Sequence, residues 1–261
     1  MFKNLLTVFR YRVLIESLVV RELKARYRGS VLGFLWSFIN PLLQLVIYWF
    51  VFTYIMPNRG VMGTSPYALF LFTGILPWTW FSASVMESAV VLISGGNLIK
   101  KILFPAEVLP IVVVLANLVH FFLGLPILLV FLVYYGKIHW TFVYFPAVVL
   151  LQLVFTLGVC LFISALAVHF RDVQNVIANL MMLWFFASPV IYSYLTISPS
   201  IQRYLNFNPM THIIVGYHQS IFTGSMGHWP WLLVMIPAAL ITFMVGYYFF
   251  DKLRDTFAEE V

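Results

Sequence analysis

The feature that most constrains this chain is the abrupt change of polarity between Val20 and Met56. The first third of this stretch is rich in arginine and lysine, whereas no charged side chain occurs from Ser30 to Met56. An apolar run of more than about 18 residues without charge is typical of a transmembrane helix. Basic residues beside such a helix favour the cytoplasmic side of the membrane. The boundary therefore predicts a membrane span and the orientation of the chain around it.

The composition extends this interpretation to all 261 residues. Only 9% of them are charged and 62% are hydrophobic, whereas a soluble domain carries roughly 25% charged residues. The net charge of +6 does not indicate nucleic-acid binding, because the excess basic residues lie where they would face anionic lipid head groups. The single cysteine, Cys160, lies in an apolar run, and no intrachain disulfide can form. We expect an all-α polytopic membrane protein that forms one domain over 1–261.

Hydropathy and turn residues divide the chain into a basic N-terminal segment and six spans. Residues 1–30 place apolar side chains at helical spacing, which predicts an amphipathic interface helix on the cytoplasmic membrane face. The spans are expected at about 31–56, 66–94, 108–134, 142–168, 174–195 and 230–250. Between the last two, an apolar patch follows Asn208-Pro209, which predicts short re-entrant or gate helices sheltered by protein.

The distribution of lysine and arginine supports this layout. Twelve of these residues fall in segments placed inside, and three fall in segments placed outside, namely Arg59, Lys137 and Arg203. This asymmetry follows the positive-inside rule. Six spans with both termini in the cytoplasm are therefore predicted.

Two of the predicted spans carry stripes that do not suit contact with lipid. The stripe of the first span recurs at helical spacing and consists of Ser37, Asn40, Gln44 and Tyr48. The fifth span repeats the pattern on one face with Asn175, Asn179, Phe186 and Ser193. Trp36 and Trp184 add rings with one polar atom each, which suit a path along which a sugar chain slides. Aromatic belts at the membrane interface are the alternative interpretation.

Some residues within or beside the spans admit more than one role. Glu87 is the only carboxylate predicted inside a span, and it marks either a functional site or an ion pair with a basic partner. His120, roughly on one face with Asn117, is expected to be a packing or cavity residue. Gly29 and Gly33 form a GxxxG pattern that is compatible with close helix packing.

The cytoplasmic loop after the second span predicts a docking element. Glycines and a proline bracket the stretch from Asn97 to Phe104, which has room for two helical turns. Its apolar side chains suit a soluble partner. The alternative is an interfacial turn held by Lys100 and Lys101.

The sequence contains no motif for covalent chemistry or metal binding. There is no phosphate-binding loop and no set of histidine or cysteine residues at metal-ligand spacing, so neither catalytic residues nor a metal site are predicted. An intramembrane enzyme on lipid-linked sugars, with Glu87 or Asp172 as base, would need convergent carboxylates. A carrier driven by an ion gradient would need several ionisable groups inside the membrane, and only Glu87 and His120 qualify.

Four stretches together resemble a known family. They are RELKARYRGSVLGFLWSFINPLLQLVIY at 21–48, NLIKKILFPAEVLP at 97–110, FRDVQNVIANLMMLWFFASPVIY at 170–192 and FNPMTHIIVGY at 207–217. In this order they resemble the membrane permease subunit of ABC-2 type exporters of O-antigen, capsule or teichoic-acid polymers. The resemblance implies a homodimer in the bacterial inner membrane that exports a lipid-linked polysaccharide, most closely O-antigen.

The resemblance also implies roles for partners and residues. The permease binds no cofactor itself, and two copies of a separate ATPase subunit hold ATP and Mg. Docking to that ATPase is implied for Arg21, Lys24, Arg28, Asn97, Lys100, Lys101 and Phe104. A channel lining is implied for Trp36, Ser37, Asn40, Gln44, Tyr48, Asn175, Asn179, Trp184, Phe186 and Ser193. The segment 197–222 is implied to be an outer gate that includes Asn208, Pro209 and Tyr217.

Overall fold

The structure, a computed structural model, describes residues 11–56, 64–100, 104–170 and 172–260. Within these ranges the chain is helical and contains no strand, which confirms the all-α fold class. We number the described α-helices α1 Arg12–Arg26, α2 Trp36–Phe50, α3 Tyr67–Ser94, α4 Gly96–Ile99, α5 Val108–Tyr134, α6 Phe145–His169, α7 Val173–Phe186, α8 Pro199–Leu205, α9 Pro209–Tyr217, α10 Trp229–Leu253 and α11 Phe257–Glu260. Short 3-10 or π-helical turns occupy Gly33–Leu35, Val51–Ile55, Trp140–Tyr144, Tyr194–Thr196, His218–Thr223 and Arg254–Thr256.

Five described helical segments are long and apolar enough to cross a membrane. They correspond to the predicted first, second, third, fourth and sixth spans, and they run over Gly33–Ile55, Tyr67–Ser94, Val108–Tyr134, Trp140–His169 and Trp229–Thr256. The counterpart of the fifth span, α7, has 14 residues. At 1.5 Å per residue it measures about 21 Å, which is shorter than a hydrocarbon core of about 30 Å.

The helix expected over 174–195 therefore ends early, at Phe186. Pro189 follows the helix end, and proline cannot donate the backbone hydrogen bond that a further turn requires. The chain then turns into the bundle, where Tyr67 donates a hydrogen bond to the carbonyl of Ile191. Irregular backbone among membrane-spanning helices is tolerated where protein shelters it, and this segment meets that condition.

The second span, α3, lies at the centre of the bundle. It packs against α5, α6, α7 and α9. Within its most apolar stretch of 18 residues, 78% of the residues are buried. The corresponding figure for the first span is 6%, because α2 contacts α3 and α5 along one side only. Most of the first span thus remains free for lipid or for another protein.

The most extensive helix pair is α6 with α10, and glycine makes it possible. A Cβ atom on Gly246 would lie 2.0 Å from the carbonyl oxygen of Gly158, and one on Gly158 would lie 2.5 Å from the backbone nitrogen of Phe243. The two backbones are in direct contact, which any larger side chain would prevent.

The GxxxG pattern at Gly29 and Gly33 serves a different purpose. Both residues lie between α1 and α2 with positive φ angles of 81° and 50°, and a Cβ atom on either would meet nothing within 4 Å. The interpretation of this pair as a helix-packing motif was wrong. The two glycines adopt the left-handed backbone conformation in the connection between α1 and the first span.

The N-terminal helix rests on protein rather than on lipid alone. From α1, the buried Leu18 packs against Val108 and Val112 at the start of α5. Val13 lies off this face and is 70% exposed. The helix expected within 1–30 is therefore observed from Arg12 to Arg26, and residues 1–10 lie outside the described part of the chain.

The segment between α7 and α10 enters the core. Every residue of α9 after Pro209 is buried, because this short helix packs between α3, α6 and α10. Asn208 caps its first turn by accepting a hydrogen bond from the Met210 backbone N–H at 3.0 Å. The short helix α9 thus enters the bundle, whereas α8 is largely exposed; that both are re-entrant or gate helices stays a prediction.

Candidate functional site

The molecule has two ends that differ in charge. We call the end that holds α1, the α3–α5 connection and the residues after α10 the basic end. The end that holds the α5–α6 connection and the start of α10 is the opposite end.

At the basic end, three side chains form a closed network. Arg26 Nη2 donates to both carboxylate oxygens of Glu87 at 2.9 Å, and its Nη1 donates to Asn117 Oδ1 at 3.1 Å. Asn117 Nδ2 donates in turn to Glu87 Oε2 at 2.8 Å. The last residue of α1 is thereby joined to α3 and α5 at once. Of the two roles left open for Glu87, the ion pair is the one observed.

This ion pair is partly hydrated. The side chains of Arg26 and Glu87 are 27% and 37% exposed. Water screens charges in such a position, so the pair contributes about 1 kcal/mol or less to stability. A pair in this position can exchange partners with water at low cost, while apolar contacts of Leu18 also hold α1 against α5.

A half-open cavity of about 210 Å³ lies beside the network, between α2, α3 and α5. One wall consists of Ser37, Asn40 and Gln44 from the predicted stripe, together with Trp36, whereas Tyr48 does not line the cavity. The facing walls include Trp80, Asn117, His120 and Phe121. Three of the four members of the stripe, Ser37, Asn40 and Gln44, therefore face a half-open cavity between the helices, as the composition of the stripe indicated. Its role as a channel lining stays a prediction.

The cavity walls contain polar atoms with and without partners. Gln44 Nε2 donates to the Tyr48 hydroxyl at 3.0 Å, and Trp36 Nε1 donates to Ser30 Oγ at 3.0 Å. Ser37 Oγ and His120 Nε2, by contrast, are buried without a hydrogen-bond partner among the described residues. Unpaired polar atoms in buried positions are costly, so these two atoms are the least well satisfied groups beside the cavity.

The predicted face of the fifth span is largely exposed on α7. Asn175, Asn179 and Phe186 lie at the surface, and Asn179 Nδ2 donates to the Asn175 carbonyl at 3.0 Å. Ser193, beyond the end of α7, is half-buried. Trp184 differs from this group because its ring turns inward and lies 5.1 Å from that of Phe81.

Asn208 joins the end of α7 to the start of α9. Its Oδ1 accepts from Trp184 Nε1 at 2.7 Å as well as from the Met210 N–H. Its Nδ2 donates to the Ala187 carbonyl at 2.9 Å and to Ser188 Oγ at 3.0 Å. The Asn208 amide thus makes four hydrogen bonds, which connect the end of α7 to the start of α9 across an irregular segment.

A histidine pair occupies the opposite end. His212 Nδ1 lies 2.8 Å from His228 Nε2, and His212 Nε2 lies 3.0 Å from the Asn206 carbonyl. A carbonyl only accepts, so His212 carries its proton on Nε2 and accepts from His228 Nε2–H. The His212 ring also stacks on Trp231 at 4.8 Å. Burial, helped by the neighbouring His212, lowers the pKa of His228 to about 4, and the pair is therefore neutral near pH 7.

The residues predicted for an outer gate are structural members of this region. Pro209 occupies the first turn of α9. Tyr217 is fully buried between Phe121 and Phe145, with both ring centroids at 5.9 Å, and its hydroxyl has no partner among the described residues. Their part in gating remains a prediction.

The predicted docking residues lie mostly on the surface of the basic end. The exposed members are Arg21, Lys24, Arg28, Asn97 and Lys100, whereas Phe104 is half-buried against α1 and α5. Of the helix expected from Asn97 to Phe104, one turn is observed as α4, and Lys101 lies outside the described residues. A groove of about 250 Å³ runs between α1, α4 and α5.

Sequence reasoning did not identify Arg26, Trp80 or Phe121 as site residues. Arg26 was one of many basic residues, and its partner Glu87 lies 61 positions away. The available signal was the lone carboxylate itself, since a charge in a span requires a partner nearby. Nothing in the sequence distinguished Trp80 and Phe121 from other aromatic residues, because buried rings are common in any helical core.

The fold and these sites define a polytopic helical membrane protein with polar groups held between its spans. A family model for the ABC-2 type transporter matches residues 13–222, and the chain belongs to this family. It is 41% identical over 257 residues, 97% of each chain, to the O-antigen export system permease protein RfbA of Myxococcus xanthus. It is 33% identical over 246 residues, 92% of this chain and 91% of the relative, to the protein of the same name from Klebsiella pneumoniae. The polysialic acid transport protein KpsM of Escherichia coli is 23% identical over 90% of this chain and 91% of its own length.

These matches confirm the resemblance found in the four stretches. The chain is a transport subunit and not an enzyme, and its family implies an ABC ATPase as partner and a membrane location. The two rival interpretations, an intramembrane enzyme and a gradient-driven carrier, have no support from any of these relatives.

Proposed function

We propose that this chain is the permease subunit of an ATP-driven exporter that moves a lipid-linked polysaccharide, most closely an O-antigen, across the bacterial inner membrane. The observation that carries the proposal is the match to an O-antigen export permease along 97% of both chains. The identity of 41% to that protein, against 23% to a polysialic acid transport protein, favours O-antigen over capsule.

In this proposal the basic end faces the cytoplasm, with both termini inside. The exposed cations on α1 and beside α4 support this orientation, because they suit both anionic lipid and a soluble partner. The partner ATPase binds ATP and Mg, and the permease itself binds neither. The same exposed residues, with Asn97 and Phe104, form the proposed docking surface.

The proposed transport path requires a second copy of the chain. Asn175 and Asn179 lie at the surface of a helix that otherwise exposes Val176, Leu180 and Phe186. Amides facing hydrocarbon are unfavourable, so this face suits contact with protein or a hydrated path. The first span, which is scarcely buried in one chain, offers the neighbouring surface. A homodimer would bring two such faces together to line a channel.

Transport in inverted membrane vesicles tests the proposed function. Vesicles that contain the permease, its ATPase and a lipid-linked O-antigen polymer should translocate the polymer when ATP is added. Collapse of the proton gradient should leave translocation unchanged. Translocation that persists without ATP and stops with the gradient would contradict the proposal.

Copurification of the ATPase tests the docking surface. Lys100→Glu should reduce the amount of ATPase that copurifies, because it reverses an exposed charge beside α4. Lys137→Glu, at the opposite end, is the matched control and should leave the complex intact. Equal recovery of the ATPase with both variants would show that α4 does not contribute to docking.

A further inference from the structure

The segment that follows α10 is charged and largely exposed except for one large apolar side chain. Asp255, Glu259 and Glu260 lie at the surface, whereas Phe257 in α11 is fully buried. The Phe257 ring lies 5.1 Å from that of Phe250 at the end of α10. Because a helix of one turn is marginal in water on its own, α11 depends on this buried ring for its position.

Phe257 belongs to an apolar cluster that is separate from the larger one in the centre of the bundle. This second cluster joins the ends of α3, α5, α6 and α10 at the basic end. Leu98 and Ile99 of α4 are half-buried against the same cluster. Since α11 also contacts α4 directly, the two short helices rest on one shared apolar base.

A polar contact ties the same segment to α6. His169 Nε2, at the end of α6, lies 3.1 Å from Thr256 Oγ1, and the rings of His169 and Phe257 have their centroids 6.3 Å apart. The helix α6 is one member of the pair whose backbones meet at Gly158 and Gly246. The position of α11 is therefore set by the most closely packed pair of helices in the bundle.

The helix α4 needs support of this kind. It is a single turn over Gly96–Ile99, and no side chain caps its first N–H groups. Backbone hydrogen bonds alone do not hold so short a helix in shape. Asn97 on α4 and Lys100 beside it belong to the proposed docking surface, so the position of these two residues depends on what lies beneath Leu98 and Ile99.

We propose that α11 braces α4 in the conformation that binds the ATPase, and that Phe257 is the positioning residue through which it does so. The inference rests on the proposed function, because it takes α4 as part of the docking surface for an ABC ATPase. Phe257 itself is buried and makes no contact with the ATPase. It fills the cluster on which α4 rests and thereby connects the docking surface to α6 and α10.

The kinetics of ATPase binding test this role. The full chain is placed in lipid nanodiscs, and association of the purified ATPase is followed by biolayer interferometry. Phe257→Ala should lower kon about tenfold and leave koff unchanged, because only the chains with α4 in place are competent to bind. Loss of a contact made within the complex would instead raise koff. Phe257→Leu keeps an apolar side chain in the cluster and should restore most of the rate.

Spin labelling reports on α4 in the absence of the ATPase. Cys160 is the only cysteine of the chain and is fully buried, so a nitroxide reagent reacts selectively with a cysteine introduced at Asn97. Phe257→Ala should increase the mobility of the label at Asn97. A label at Ser200, an exposed residue of α8, is the matched control and should keep its mobility.

Two further variants separate bracing from direct contact and from loss of the fold. Glu259→Lys combined with Glu260→Lys reverses exposed charges of α11 without altering the cluster, and should leave kon and koff unchanged. Thr256→Val removes the hydroxyl beside His169 and should change kon and label mobility in the same direction as Phe257→Ala, to a smaller degree. This milder variant decides the question if the melting temperature shows that Phe257→Ala unfolds the chain.

Three results would overturn the inference. Unchanged kon and unchanged label mobility in Phe257→Ala and Thr256→Val would reject the brace and leave the exporter function intact. A loss of binding in the variant with both glutamates reversed, as large as that in Phe257→Ala, would place α11 itself in the interface. Absence of binding between the unaltered chain and the ATPase would reject the proposed function as well.

Discussion

The two ends of this molecule are held together by different chemistry. At the basic end, α1 is joined to the bundle by a partly hydrated ion pair beside a half-open cavity. At the opposite end, Asn208 and the His212–His228 pair connect short helices through neutral hydrogen bonds, and α9 is buried along its length. One end uses charges that water can reach, whereas the other uses neutral groups that range from the half-buried Asn208 to the buried His212 and His228.

The basic end can rearrange at a lower cost in free energy than the opposite end. A screened ion pair can exchange partners because water stabilises its charges while they are apart. Buried neutral hydrogen bonds cannot open without leaving unsatisfied groups, and each such group costs about 1 to 3 kcal/mol. The basic end is therefore suited to motion, and the opposite end is suited to holding a fixed shape.

The largest expected effect concerns Asn208. Asn208→Leu removes four hydrogen bonds and leaves Trp184 Nε1 without its acceptor, so we expect a loss of about 3 kcal/mol or more. Thermal unfolding of the purified protein in detergent would measure it. Asn40→Leu makes the same change on an exposed residue of α2 and should have little effect. Equal melting temperatures for the two variants would show that the hydrogen bonds of Asn208 contribute no more to stability than an exposed amide does.

The next effect is a dependence of stability on pH at the opposite end. Folding lowers the pKa of His228 from 6.5 to about 4, so between these values the unfolded chain binds a proton that the folded chain does not. Stability should therefore be level above pH 6.5 and fall as the pH drops towards 4, by about 2 kcal/mol at pH 5. His228→Gln should flatten this part of the profile in a pH series of melting temperatures. If His228→Gln lost stability below pH 6.5 as the original protein does, the pH dependence would come from titratable groups other than His228.

A smaller effect is expected from the ion pair. Glu87→Gln should cost about 1 kcal/mol, since Arg26 loses a charged partner but keeps Asn117 and access to water. The loss should shrink in high salt, whereas the loss from Asn208→Leu should not. A double-mutant cycle with Arg26→Gln isolates the coupling between the two side chains. A salt-independent coupling would mean that the pair behaves as a buried one.

The smallest effect on stability is expected on α7. Asn179→Leu should change stability by less than about 0.5 kcal/mol, because this residue is exposed in the single chain. Polymer export in cells should nevertheless fall, since the substitution removes an amide from the proposed channel wall. Loss of stability in the isolated chain would place Asn179 in a structural role instead.

The sequence predicted the membrane spans well because their signal is local. Long uncharged runs such as the one from Ser30 to Met56 need no tertiary information. The early end of α7 at Phe186 was missed because the chain stays apolar beyond it, and apolarity indicates burial rather than helix. The GxxxG pattern at 29–33 misled for a similar reason, since spacing carries no information about φ.

The polar sites were predicted only in part. The stripe from Ser37 to Tyr48 was recognisable by its period, but the cavity that it faces depends on residues from α3 and α5. The pairing of Arg26 with Glu87 depends on where α1 rests against α5, which no local pattern specifies. Long-range pairs of this kind follow from the packing of helices and not from their sequences one at a time.

The contact of Gly158 with Gly246 also fixes how the bundle can deform. With backbone against backbone, α6 and α10 have no layer of side chains on which to slide. A slide of about one helical turn, roughly 5.4 Å, would bring a side chain of the same face, such as Val154 or Thr242, to the place of a missing one. The register of this pair is thus fixed, and we expect the two helices to move as one body. We therefore expect any change of shape that begins at the basic end to move the first span and α7, which are the most exposed long helices of the bundle.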